Sequence, residues 1–156
     1  MSADPDGTAA EIARLALGRG ATIAAAESLT GGAVSAALAK APDAARWYAG
    51  SVTAYRGETK FRVLGVPEGP VVTAECARAM ASGVRVLLAA DIAVALTGVG
   101  GPGEEEGRPA GTVFVATSDA DGDESREFRF DGGPAEVVGQ AVEAALDLVL
   151  ERLRER

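Results

Sequence analysis

Two short apolar runs, at residues 21–26 and 92–96, constrain the fold of this chain more than anything else in it. Each is too short and too continuously apolar for a helix with a solvated face, so each reads as a buried strand. Between and around them the apolar spacing is helical. Ala9, Ile12, Ala13 and Ala16 share one helix face, with Gly18 and Gly20 as a C-terminal stop. Thr30-Gly31-Gly32 opens a second helix carrying Val34, Ala37 and Leu38, which Pro42 ends. Residues 48–55 have the aromatic and β-branched content of a strand, a short helix follows at 58–64, and Thr73 caps a longer one through Leu88. Strands at 112–117 and 124–130 join across Asp121-Gly122, a good hairpin dipeptide, and a last helix begins near Pro134. Its apolar stripe is Val137, Val138, Ala141, Ala145, Leu148 and Val149. This alternation predicts a three-layer α/β/α sandwich on a mixed, mostly parallel sheet, with one antiparallel strand imposed by the hairpin. No repeat or linker interrupts it, so residues 1–156 read as a single domain, and 47% apolar content is enough for a core.

Composition then removes whole classes of chemistry. There is no histidine and one cysteine, which excludes Ser-His-Asp and Cys-His catalysis, His-ligated zinc and multi-cysteine metal sites. No metal and no cofactor is therefore expected. A net charge of -8 argues against a nucleic-acid partner, which requires clustered Lys and Arg. The longest apolar stretch, residues 84–96, is broken by Arg85 and Asp91 and falls short of the roughly 18 to 20 residues of a membrane span. A free cysteine and an acidic N-terminus without a signal pattern point to the cytoplasm.

Three places carry candidate chemistry. Gly98-x-Gly100-x-x-Gly103 matches a dinucleotide fingerprint, but Gly107, Pro109 and Gly111 forbid the helix that must follow, and Glu104-Glu105-Glu106 would repel a phosphate. That triplet reads as a solvated loop. Ser28 lies between a buried strand and a helix start, where open α/β folds expose a side chain to ligand. Unpaired N–H groups of that turn suit a phosphate or an oxyanion, although Ser28 or Thr30 could instead simply cap the helix. Without histidine, a serine nucleophile needs another base, of which Lys, Tyr, Glu and Asp are the available kinds. The chain has two lysines; Lys40 falls about 15 Å down the helix from Ser28, whereas Lys60 follows the next strand and can return to the same sheet end. Glu27 is the alternative ionisable neighbour.

The residues around Ser28 also carry a resemblance. Ala26-Glu27-Ser28-Leu29-Thr30-Gly31-Gly32 resembles the AES-x-TGG motif of the CinA C-terminal domain family. Gly50-Ser51-Val52-Thr53-Ala54-Tyr55, continuing to Lys60 and Leu64-Gly65-Val66, is similar to its second motif. Leu96-Thr97-Gly98-Val99-Gly100-Gly101-Pro102 with Arg108-Pro109-Ala110-Gly111-Thr112-Val113 is similar to its third. The resemblance spans roughly residues 8–150 and implies a metal-independent amidohydrolase that converts nicotinamide mononucleotide to nicotinate mononucleotide and ammonia in pyridine-nucleotide recycling. It also implies a homodimer, a stand-alone form of a domain that often follows a molybdopterin-binding-like one, and a Ser28-Tyr55-Lys60 catalytic set. Glu27, Thr30, Gly31, Gly32, Thr97, Gly98, Gly100 and Gly101 would then bind substrate, with N–H groups of 30–32 as the oxyanion hole.

This chain departs from the family pattern at two places. Arg56-Gly57 stands where a Ser-Asn pair is usual, and Pro134 and Val138 stand where arginines are usual. If those arginines serve the substrate phosphate, a contact worth about 1.5 to 3 kcal/mol is missing. Two alternatives to a mononucleotide amidase follow: an amidase on an unphosphorylated pyridine nucleoside, or a catalytically silent nucleotide-binding or regulatory module.

Overall fold

A computed structural model describes residues 4–155. In chain order the elements are α1 (Pro5–Arg19), β1 (Ile23–Glu27), α2 (Ala33–Ala39), α3 (Ala44–Trp47), β2 (Tyr48–Thr53), α4 (Gly57–Leu64), α5 (Ala74–Leu87), β3 (Ile92–Gly98), β4 (Thr112–Asp119), β5 (Gly122–Arg129) and α6 (Pro134–Arg154). The strands form one sheet in the order β2-β1-β3-β4-β5. β1 pairs parallel with β2 and β3, whereas β4 is antiparallel to both β3 and β5. The mixed α/β sandwich expected from the alternation is the fold observed, with two parallel and two antiparallel pairings and β4 alone running against the other four strands.

Alternation along the central strands builds two cores of different character. Ile92, Val94 and Leu96 of β3 face one way, onto Ile12 and Ala16 of α1, Val34 and Leu38 of α2 and the stripe of α6. Ala93 and Ala95 face the other way, onto Ala77, Met80 and Ala81 of α5. Both faces are covered, which explains why β1 and β3 read as continuous apolar runs.

Local chemistry sets several boundaries differently from the sequence reading. β1 starts at Ile23 because Ala21 still donates to Ala16 at the end of α1 (2.9 Å) and Thr22 is held by the Asp91 side chain (2.8 Å). β2 ends at Thr53; Ala54 still donates to Glu27 (2.7 Å), after which the chain turns toward α4. The hairpin turn is Ala120-Asp121, with Gly122 inside β5, and Asp119 accepts the Asp121 N–H at 2.8 Å. α3 is a single turn too short to show periodicity, anchored by the buried Trp47, whose Nε1 donates to the Pro42 carbonyl (2.9 Å). Thr73 does cap α5, accepting from Cys76 N–H at 3.0 Å.

Because β1, β2 and β3 are parallel, their carboxyl ends lie together. β5 runs in the same direction, so it delivers the start of α6 to that end as well. The Ser28 turn, the segment leading to α4, the glycine loop after β3 and the first turn of α6 therefore converge.

Candidate active site

Ser28 and Lys60 are in direct contact. The Lys60 side chain reaches back from α4 under the sheet end, where its Nζ lies 2.9 Å from Ser28 Oγ, 2.9 Å from the Ala54 carbonyl and 3.4 Å from the Tyr55 carbonyl. Lys60 is 1% exposed and Ser28 6%. The two carbonyls can only accept, so Nζ donates to both. When charged, the amine donates a third hydrogen to Ser28 Oγ; when neutral, its remaining lone pair faces the serine hydroxyl and accepts from it. Burial lowers the Lys60 pKa from lysine's ordinary range, an effect only partly opposed by the Cys76 thiol and the Glu105 and Glu106 carboxylates. Burial also pushes the Cys76 thiol up to about 11, which keeps it protonated at neutral pH.

Glu27 is not on the wall of the cavity above Ser28 and is engaged with the start of α2. It is fully buried, and its two oxygens accept from Thr30 Oγ1 (2.6 Å) and from the N–H groups of Gly32 (3.2 Å), Val34 (2.9 Å) and Ser35 (2.8 Å). The side chain thus closes the start of α2 from inside, and Gly32 supplies the left-handed backbone (φ +109°) that folds the turn over it. The expectation of free N–H groups at 30–32 is corrected for Gly31 and Gly32 and stands for Thr30. Gly31 N–H donates to the Ser28 carbonyl (3.0 Å) and Gly32 N–H to Glu27, so neither faces a ligand. The Leu29 and Thr30 amides, by contrast, make no hydrogen bond among the described residues.

A cavity of about 330 Å³ opens above Ser28. Leu29, Tyr55, Gly98, Gly100 and Gly101 form part of its wall, and the remainder comes from Gly103, Glu104, Glu105, Pro134 and Val138. Gly98 is required here, because a Cβ would stand 2.5 Å from the Thr112 carbonyl where β3 and β4 close together. Of the residues expected to bind substrate, Glu27, Thr30, Gly31, Gly32 and Thr97 lie outside this lining. Thr97 is buried and its Oγ1 donates to the Val71 carbonyl (2.7 Å), pinning a neighbouring loop. Tyr55 is brought to the cavity but not into a hydroxyl-linked triad. Its side chain is 69% exposed, and what it gives to Lys60 is its main-chain carbonyl.

The acidic triplet is more than a solvated loop. Glu106 accepts the N–H groups of Val71 (2.9 Å) and Val72 (2.8 Å), which ties the glycine loop to the segment before α5, and Glu104 and Glu105 line the cavity. The signal that could have found them is position: they follow a glycine-rich segment leaving the carboxyl end of a buried strand.

These features define an α/β protein with a buried serine–lysine pair at a topological end of its sheet, where open α/β folds receive ligands. The family described as CinA C-terminal domain matches residues 6–153, and the chain belongs to it. A CinA-like protein from Frankia casuarinae is 39% identical over 140 residues, covering 86% of this chain and 32% of that protein. A CinA-like protein from Geobacter metallireducens is 36% identical over 148 residues, covering 91% of this chain and 36% of its own length. The chain thus spans about a third of the length of the curated relatives it matches. A crystal structure of a competence-damaged protein (CinA) superfamily protein from Klebsiella pneumoniae superposes with a TM-score of 0.93 at 35% identity, covering 98% of this chain and 99% of the other. Competence damage-inducible protein A from the same species gives 0.93 at 37% identity, with 97% and 98% covered. Among the described residues, no helix is long and apolar enough to cross a membrane.

Proposed function

We propose that this chain is an amidohydrolase that cleaves a pyridine carboxamide through an acyl-enzyme on Ser28. The observation that carries this reading is the 2.9 Å contact between Ser28 Oγ and a buried lysine whose pKa is lowered and whose other close partners are carbonyl oxygens. A lysine in that state can take the serine proton near neutral pH. Ser28 Oγ attacks the amide carbon as its proton passes to Lys60 Nζ. The carbonyl oxygen becomes an oxyanion, for which the Leu29 and Thr30 amides are the free donors, Leu29 being the residue that follows the nucleophile and lines the cavity. Lys60 then returns the proton to the leaving nitrogen, the C–N bond breaks, and ammonia departs from a Ser28 ester. Water attacks that ester while Lys60 accepts its proton; the C–O bond to Ser28 breaks, Ser28 Oγ is reprotonated, and the carboxylic acid leaves. The resemblance to the family points to nicotinamide mononucleotide as substrate, with nicotinate mononucleotide as product. The chemistry itself needs only the carboxamide.

The test is ammonia release from nicotinamide mononucleotide, nicotinamide riboside and nicotinamide by the purified protein and by Ser28→Ala. Release by the wild type, reduced by several orders of magnitude in Ser28→Ala, supports the reading. Tight binding with no release from any of the three would make the chain a nucleotide-binding module instead.

A further inference from the structure

One buried residue is tied to both halves of the serine–lysine pair. Glu27 immediately precedes Ser28 and is fully buried. Its side chain holds the turn that follows the nucleophile: Thr30 Oγ1 and the N–H groups of Gly32 and Val34 donate to Oε1, and Ser35 N–H donates to Oε2. Its main chain holds the lysine side. The Glu27 carbonyl accepts the Ala54 N–H (2.7 Å), and the Ala54 carbonyl in turn accepts from Lys60 Nζ (2.9 Å). The turn needs such an anchor. Gly31 and Gly32 are both left-handed (φ +60° and +109°), and two glycines in succession leave a segment with wide conformational freedom. The helix that follows has seven residues, too few to fix its own first turn.

We propose that Glu27 is a positioning residue for acyl transfer: its carboxylate sets the Ser28 turn so that Oγ meets Lys60 Nζ and the Leu29 and Thr30 amides converge on the reacting carbonyl. That role rests on the Ser28–Lys60 reading of the site for what is positioned, and on no particular substrate. Every group around the carboxylate donates to it. A glutamine in its place keeps the shape but turns one oxygen into an amino group, which can only donate. Whichever way that amide lies, the amino group faces an N–H, that of Ser35 on one arm or those of Gly32 and Val34 on the other. The turn must then shift, and a displacement of about 1 Å at a reacting group costs about 100-fold in rate.

The experiment reads Ser28 directly. A fluorophosphonate labels an activated serine: Ser28 Oγ bonds to phosphorus, its proton passes to Lys60 and fluoride leaves. Labelling of the whole chain is followed by intact-mass spectrometry, beside thermal unfolding and ammonia release from the three carboxamides named above. Glu27→Gln is expected to label about 10- to 100-fold more slowly than the wild type per folded molecule. Its kcat should fall by a similar factor, with KM changed less than about threefold. Ser35→Ala is the control for helix stability: it removes the hydroxyl contact with Tyr48 (2.7 Å) but leaves the Ser35 N–H on Glu27, so it should label at the wild-type rate. Should Glu27→Gln not fold, Thr30→Val removes only the 2.6 Å hydroxyl contact and should still slow labelling about threefold or more. Labelling of the folded Glu27 or Thr30 variant as fast as the wild type overturns the proposal. Equal slowing in Ser35→Ala also overturns it, since the carboxylate would then serve helix stability alone. Wild-type labelling without ammonia release, slowed in Glu27→Gln, supports the positioning and refutes the amidohydrolase reading. A wild type that neither labels nor releases ammonia refutes both.

Discussion

Arg152 and Lys60 are both buried cations, one at each end of the same sheet, and the chain surrounds them in opposite ways. The Arg152 Nε lies 3.0 Å from the Asp119 carboxylate, Nη1 lies 3.3 Å from Glu124, and Nη2 donates to the Gly122 carbonyl at 2.6 Å. Two carboxylates and a carbonyl surround that guanidinium, although its Nε makes no hydrogen bond, and the group joins α6 to the β4–β5 turn. Lys60 is no less buried, yet its hydrogen-bond partners are a hydroxyl and two carbonyls. Arginine stays protonated in any protein setting, whereas a lysine without a carboxylate partner gives up its proton readily on burial. The first arrangement fixes structure; the second, in the proposed mechanism, leaves a base in contact with a nucleophile.

Replacing each cation should separate these roles. Lys60→Met is expected to lower ammonia release about 100- to 10,000-fold, the range of general acid–base catalysis, while changing stability far less than the corresponding change at Arg152. In the wild type, kcat/KM should rise with pH as Lys60 loses its proton, at a pH below the ordinary lysine value of about 10.4. The sign for stability follows the same ionisation. Because the folded chain holds that proton less tightly than the unfolded chain, stability should rise with pH across the interval between the lowered value and about 10.4. This rise should be missing from urea titrations of Lys60→Met.

Arg152→Met should show the reverse pattern. It leaves the buried Asp119 without its partner, so a loss of about 3 to 5 kcal/mol in urea unfolding is expected. Turnover per folded molecule should be unchanged, since Arg152 lies at the far end of the sheet from Ser28. A large loss of turnover in fully folded Arg152→Met would break the division between the two ends.

The same contrast explains what the sequence could show. The strands β1 and β3 were legible because burial on both faces leaves a continuous apolar run, and Thr73 was legible because its cap acts within one turn. Of the two lysines only Lys60 was placed to return to Ser28, but Glu27 stayed open as a base, and the pairing of Ser28 with Lys60 came from the family resemblance. The role of Glu27 was not legible, because a carboxylate that closes a helix start from beneath and one that faces substrate have the same neighbours in sequence. Tyr55 shows a similar limit: the resemblance places it with Lys60, but whether its hydroxyl or its carbonyl meets the amine depends on how the chain leaves β2. Glu104 and Glu105 are exposed, as the sequence suggested, and only the fold, which carries the glycine loop back over Ser28, makes them border the cavity.

The most direct test of the Ser28–Lys60 chemistry is to look for the covalent intermediate. The protein is mixed with its best amide substrate, quenched in acid during turnover and weighed by intact-mass spectrometry, with a parallel reaction in hydroxylamine. An adduct of the acyl group's mass that maps to Ser28 and is absent from Ser28→Ala, together with a hydroxamate product, is the expected result. Amide hydrolysis with no adduct and no hydroxamate, and a Ser28→Ala protein retaining about a tenth of wild-type turnover, would contradict it and leave Ser28 as a residue of the turn alone.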